Sequence, residues 1–288
     1  MASRSVGPAG FGYRDGMKAG LRQRALVQFC MSPHFRGKTR LENWLIDRVP
    51  PHLQHPFGFE IELEPDDPAE RSCYFRCAEP DTARFFRSHL RPGMTFLDCG
   101  AHVGFYSLLA AERGCRTVAF EPAPETFSRL KKNVRLNGFS DVDCRRLALS
   151  DENGRRPIFG FPGSNTGMNT LSHGEILGDC EVARLDDLEV PPPDVMKIDV
   201  EGSEVALLTG AAETIREHRP VIVVEVSGTT AAYFGQTPND VVDAVYSLGD
   251  WQMLYLWGTC PPEVTDRSLP HTTRLGPMHG WNYAFIPR

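Results

Sequence analysis

The chain has 288 residues, 41% of them hydrophobic and 24% charged. That is the composition of an ordinary globular protein rather than of a disordered, collagen-like or membrane-spanning one. A formal net charge of −6 speaks against a dedicated nucleic-acid binder, and eight cysteines without a single C-x-x-C pair speak against a zinc site.

The charge is uneven. Residues 1–49 hold nine Lys and Arg against three acids, so a basic arm precedes an acidic body. It reads first as a solvated helical face, and second as a contact for a partner, including another copy of the chain. Met17–Met31 sets Leu21, Ala25, Leu26 and Phe29 at helical spacing, and Arg40–Val49 predicts a second short helix stopped by Pro50 and Pro51. Phe57, Phe59, Ile61 and Leu63 alternate, which predicts a strand or hairpin. A helix over "DTARFFRSHL" follows, with Asp81 as its expected N-cap. Residues 1–76 therefore read as an N-terminal extension suited to substrate or subunit contacts, and residues 77–288 as the main domain.

From Met94 onward short apolar runs alternate with amphipathic segments. Strands are predicted at Thr95–Asp98, Thr117–Glu121, Val142–Leu147, Val195–Val200, Val221–Val226, Trp251–Trp257 and Tyr283–Ile286. Helices are expected between the first five strands and before the sixth. The pattern predicts an α/β fold with a mostly parallel sheet and helices on both faces. The last two strands lack an intervening helix, so an antiparallel pair is expected at the sheet edge.

The first strand of this region runs into "DCGAHVG" and then into a helix. In an open parallel sheet, ligands bind beyond the carboxyl ends of the strands. Gly100 and Gly104 let the backbone come close to a ligand. Asp98 stands where a dinucleotide fingerprint would have its first glycine, and a carboxylate suits a pyrophosphate poorly. It suits a ligand with a cationic amino-acid tail, such as S-adenosylmethionine. The next strand ends at Glu121, about twenty residues on, where an acid can accept from ribose hydroxyls. Glu121 would serve NAD equally well; the first turn discriminates. "LALSDENG" places Ala148 near an adenine.

"FLDCGAHVGFYSLLAA", "FEPAPETFSRLKKNVRLNG", "LALSDENG", "RLDDL", "VMKIDVEGSEVALLTGA" and "PVIVVEVS" together resemble the FkbM-type methyltransferases, with "KIDVEGSE" the most specific segment. The likeness covers about residues 77–230. It implies a Rossmann-like seven-stranded sheet with an antiparallel edge strand, S-adenosylmethionine as cofactor, and methyl transfer to oxygen on a small molecule or sugar. It also implies that Asp98, Gly100, His102 and Gly104 line the methionine end and that Glu121 holds the ribose, with Phe105 and Pro122 also among the cofactor-binding residues. The family usually has Asn where this chain has His102.

"KIDVEGSE" carries its own chemistry. Asp199 and Glu201 follow an apolar strand at its ligand-facing end, with Lys197 beside them, and Glu204 falls in the first turn of the next helix, where an acid meets the helix dipole. Methyl transfer to a hydroxyl needs alignment and removal of a proton. Asp199 and Glu201, supported by Glu225 at the end of the next strand, are the candidate acceptor-side acids. The same trio is a candidate Mg²⁺ site. "FGFPGSNTGMNTLSHGEILGD" (Phe159–Asp179) is expected to be a lid or substrate loop, with His173 a lesser acid/base candidate. The expected activity is O-methylation of a small-molecule hydroxyl. Alternatives are a nucleic-acid or protein methyltransferase on the same fold, a non-catalytic scaffold, and an NAD-dependent dehydrogenase. Free thiols and the lack of a leader or membrane span suggest a cytoplasmic protein.

Overall fold

The computed structural model describes residues 52–55, 57–64, 67, 70, 79–160, 167, 169–256, 268–269, 275 and 280–288. The two helices expected within residues 17–49, and the basic arm they belong to, lie outside the described residues.

Thirteen strands and seven helices are described. Strands β1 (His52–Gln54) and β2 (Glu60–Glu62) form the expected hairpin. Helix α1 (Pro80–His89) leads into β3 (Thr95–Cys99), α2 (Phe105–Glu112), β4 (Arg116–Phe120), α3 (Pro124–Leu136) and β5 (Val142–Arg145). Three strands follow: β6 (Ala148–Leu149), β7 (Gly154–Gly160) and β8 (Glu175–Ala183). The chain continues through β9 (Val195–Ile198), α4 (Glu204–Gly210), α5 (Ala212–His218), β10 (Val221–Ser227), α6 (Gly228–Ala232) and α7 (Pro238–Tyr246). It closes with β11 (Trp251–Tyr255), the two-residue β12 (Ser268–Leu269) and β13 (Gly280–Pro287).

The main sheet has the order β12-β11-β13-β10-β9-β3-β4-β5. Its seven longer strands are those read from the sequence, and the arrangement is Rossmann-like. β13 runs antiparallel between β10 and β11, one place in from β11, and β12 pairs antiparallel on the outside of β11. The strand order reverses between β3 and β9, where the crevice of a doubly wound sheet opens.

Successive side chains point to opposite faces of a strand. Phe96, Ala119, Val195, Val223 and Ala284 face one core with α1, α2 and α3. Leu97, Val118, Met196, Ile198, Ile222, Val224 and Phe285 face the other, with α4, α5 and α7. This two-sided burial explains why the strands read as continuous apolar runs.

Four expectations need correction. Among the described residues no α-helix separates β5 from β9; the chain builds instead a small sheet of order β6-β8-β7, followed by a 3-10 turn at Leu185–Asp187. It has its own core of Ala123, Ala148, Ile158, Cys180 and Val182. The third main strand stops at Arg145, so Ala148 belongs to this small sheet. The segment Phe159–Asp179 is accordingly strand at both ends, and only its middle is a connection; Pro157 sits on the edge strand β7, where a missing N–H is tolerated. Finally, α1 begins at Pro80 with Glu79 at the N-cap, and Asp81 lies inside the first turn.

The N-terminal hairpin shares the main core. Leu53, Phe57, Phe59, Ile61 and Leu63 are buried in one cluster with Phe105 and Leu109 of α2. Asn133 of α3 holds it from the other side: its Oδ1 accepts from Glu62 N at 2.8 Å, and its Nδ2 donates to Glu62 O at 3.2 Å and Val103 O at 2.9 Å. Glu70, fully buried at its side chain, pairs with Arg129 of the same helix. Among the described residues no helix is long and apolar enough to cross a membrane. Replacing Asn133 by Ala strands three backbone groups at a 1% exposed site, and is expected to cost about 2–3 kcal/mol, read as a lower urea midpoint.

Candidate active site

A cavity of about 250 Å³ opens where β3, β4, β9 and β10 end. The turn after β3 forms one wall. Gly100 and Ala101 donate their N–H groups to Phe120 O at 3.0 and 2.9 Å, tying the turn to β4. Gly100 has φ +85°, and a Cβ there would lie 1.8 Å from the Asp199 carbonyl oxygen. Its missing side chain therefore allows the β3 turn to touch the β9 turn. At Gly104 (φ +96°) a Cβ would meet Leu130 Cδ1 of α3 at 2.6 Å, so that glycine serves helix packing.

His102 also has a positive φ, +50°. Among residues with a Cβ, Asn, Asp and His are the ones enriched in that conformation. This accounts for His where the family usually has Asn. Burial pushes the His102 imidazole down to about 4, with Asp67 opposing, so it is neutral near pH 7.

Glu121 follows β4. Its carboxylate accepts from His102 N at 3.0 Å and from Ala123 N at 2.9 Å. Burial raises its pKa to about 7 despite these bonds. Asp98 lies beneath the turn, 1% exposed, and is not among the cavity-lining residues. Its Oδ2 accepts from Ser107 Oγ at 2.5 Å, and its Oδ1 has no hydrogen-bond partner. It stands beside Lys197 in the β3–β9 register. Of the residues expected to hold a cofactor, Gly100, His102, Phe105, Glu121, Pro122 and Ala148 line the cavity; Asp98 and Gly104 support it from behind.

The opposite wall is acidic. Asp199, Glu201 and Glu225 each offer an oxygen, all within 4.8 Å of one another. Lys197, 2% exposed, reaches Asp199 Oδ2 with its Nζ at 2.6 Å and lies 5.0 Å above the Tyr106 ring. Burial alone would lower its pKa, but Asp199 and then Asp98 outweigh burial and keep it charged. In return Lys197 overcomes the burial of Asp199 and holds that carboxyl below its ordinary value. The neighbours go the other way. Burial and the Asp199 charge raise Glu201 to about 9 and raise Glu225 well above the carboxylate range. The protonated Glu225 thus donates a hydrogen bond to ionised Asp199.

Glu204 has a structural task. Its Oε1 accepts from Val200 N at 3.2 Å and Gly202 N at 3.1 Å, capping the turn that carries Asp199 and Glu201. His173 is exposed, stacks edge-on to Tyr233 with ring centroids 4.0 Å apart, and does not line the cavity. The structure also brings in residues that the sequence did not single out. Glu79 lines the cavity from the start of α1 and accepts from Tyr106 Oη at 2.7 Å. Ser203 lines it with a buried hydroxyl that has no partner. Asn169, Thr170 and Leu171 arrive from the small sheet. Tyr106, Ser203 and Thr170 sit inside quoted segments and could have been found there; Glu79 is placed only by packing.

Residues 98–253 match the Methyltransferase FkbM domain family. The methyltransferase sdnD of Sordaria araneosa is 30% identical over 167 residues, 45% of this chain and 64% of its own length. The hexuronic acid methyltransferase AglP of Haloferax volcanii is 30% identical over 170 residues, 57% of this chain and 66% of its own. Each match thus spans less than two thirds of the relative. A crystal structure of methyltransferase FkbM from Methylobacillus flagellatus KT is 19% identical, covering 71% of this chain and 50% of that one, with a TM-score of 0.45.

Gly100→Ala combines a positive-φ penalty with a clash against backbone. It is expected to destabilise the fold by about 3 kcal/mol or more, measured by chemical denaturation, and to do so far more than Gly138→Ala, where φ is +66° and a Cβ meets nothing within 4 Å.

Proposed function

This chain belongs to the FkbM methyltransferase domain family, and from that footing we propose that it is an S-adenosylmethionine-dependent O-methyltransferase acting on a hydroxyl of a small molecule or sugar. The observation that carries the proposal is one cavity with two unlike walls: a glycine turn and Glu121 on one side, a carboxyl trio with a buried lysine on the other.

The residues present fit the cofactor. Glu121 has its carboxylate fixed by two backbone N–H groups and keeps acceptor capacity for ribose hydroxyls. Ala148, Leu149 and Ile158 present the apolar surface an adenine needs. The buried Ser203 hydroxyl awaits a partner. When bound, S-adenosylmethionine supplies an electrophilic methyl group on a sulfonium, whose positive charge also favours ionised carboxylates nearby.

The chain's own residues then do three things. The closed turn and the small sheet shield the reacting atoms from water. Asp199, kept ionised by Lys197, and Glu225, which donates to it, fix the acceptor's place. Glu201 takes the hydroxyl proton as the acceptor oxygen gains the methyl carbon. The trio does not fit a divalent cation. Asp199 is already engaged by an ammonium at 2.6 Å and by Glu225, so the positive charge a metal would bring is in place.

The relative AglP is named for a hexuronic acid, which makes sugars a sensible first acceptor panel. Calorimetric titration should show micromolar S-adenosylmethionine binding and none of NAD. Absence of cofactor binding by folded protein would overturn the proposal. In the free protein Glu201 titrates at about 9 and acts only when deprotonated. The expected kcat/KM therefore rises with pH through neutrality and levels off above that value. Glu201→Gln should remove the rise and lower kcat by about 10²–10⁴-fold, measured as S-adenosylhomocysteine release. An unchanged profile would assign the base elsewhere.

A further inference from the structure

We propose that Thr170 is a positioning residue: through its hydroxyl, the small β6-β8-β7 sheet holds Glu201 at the acceptor. This rests on the reading of Glu201 as the proton-accepting carboxylate.

Glu201 is held in a left-handed backbone conformation, φ +51°, with Gly202 at +101° after it. An L-residue with a long side chain does not favour that conformation, so its surroundings must enforce it. Glu204 secures the turn through the N–H groups of Val200 and Gly202. Among the described residues the carbonyl of Glu201 itself is secured by one bond, from Thr170 Oγ1 at 2.9 Å. Thr170 is well placed to bear on it. It is 3% exposed, lines the cavity, and exchanges two 2.9 Å backbone bonds with Phe159 of β7. Two residues on, Ser172 Oγ donates to Tyr233 O at 3.1 Å, just beyond the helix that follows the strand of Glu225. The insertion thus fastens to the turns after both acid-bearing strands. A rotation of the Glu201 peptide would swing its carboxyl away from Asp199 and Glu225. Thr170 resists that rotation through the backbone of the acid turn, its hydroxyl donating to the Glu201 carbonyl.

The test needs no acceptor. Sinefungin carries an ammonium where the cofactor carries its sulfonium methyl, so its affinity relative to S-adenosylhomocysteine reads the carboxylates facing that point. Both ligands would be titrated calorimetrically into wild type, Thr170→Val, Thr170→Ser and Glu201→Gln. Val keeps the shape and removes the hydroxyl; Ser keeps the hydroxyl. Thr170→Val should weaken sinefungin about tenfold, the worth of one hydrogen bond, with S-adenosylhomocysteine within twofold of wild type. Thr170→Ser should match wild type for both. Equal loss of both ligands in Thr170→Val, or loss of folding, would make Thr170 merely structural and overturn the proposal. So would a wild-type affinity ratio in Thr170→Val while Glu201→Gln lowers it. If Glu201→Gln leaves the ratio unchanged, the assignment of Glu201 fails first, and this inference with it.

Discussion

A buried ammonium organises this site. Lys197 stands in the middle of the sheet, in register with Asp98 on one side and bonded to Asp199 two residues further on. An isolated charge at 2% exposure would be prohibitively costly, and so would a lone ionised Asp98 at 1%. Together they are tolerable, and the arrangement decides which carboxyls stay ionised. Asp199 keeps its charge because Lys197 is there; burial, and after it the Asp199 charge, raises Glu201 and Glu225 so that they hold protons. One strand residue thereby links the glycine turn after β3 to the acidic wall of the cavity.

The backbone imposes the same coupling. The β3 turn and the β9 turn are in contact at Gly100, with no room for a Cβ. Asp199 N donates to Cys99 O at 3.0 Å across the same junction. The glycine turn and the acid turn are therefore one unit, and a change in either moves the other. Glu204 and Thr170 restrain the acid turn from two further directions, one from its own helix and one from the small sheet.

The N-terminal hairpin belongs to this architecture as much as to the extension. Its phenylalanines pack on Phe105, the first residue of α2 and a cavity-lining side chain. Asn133 ties the hairpin to Val103 of the glycine turn. Glu79, at the head of α1, adds a carboxylate to the cavity and a bond to Tyr106, which in turn lies beneath Lys197. The segment before β3 thus completes a wall that the parallel sheet alone would leave open.

The sequence by itself determined the local chemistry. The seven longer strands, the glycine turn, Glu121 at the end of β4, and Asp199, Glu201 and Glu225 at the ends of β9 and β10 were legible because each depends on neighbours a few residues away. A strand running into a glycine turn reads as such wherever it stands. Tertiary structure decided what depends on distant partners. Asp98 faces Lys197 from beneath the turn because β3 pairs with β9 across the switch point, about a hundred residues away in the chain. The small sheet replaces an expected helix because Cys180, Val182, Ile158 and Ala148 form a core only when three short, turn-rich strands meet. Glu79 enters the cavity by packing alone, and Thr170 comes from a segment whose composition suggested a substrate loop but could not say which residue turns inward. Spacing along the chain can place an acid at the end of a strand; only the paired strands and their fillings determine which acid is charged, and which residue holds it still.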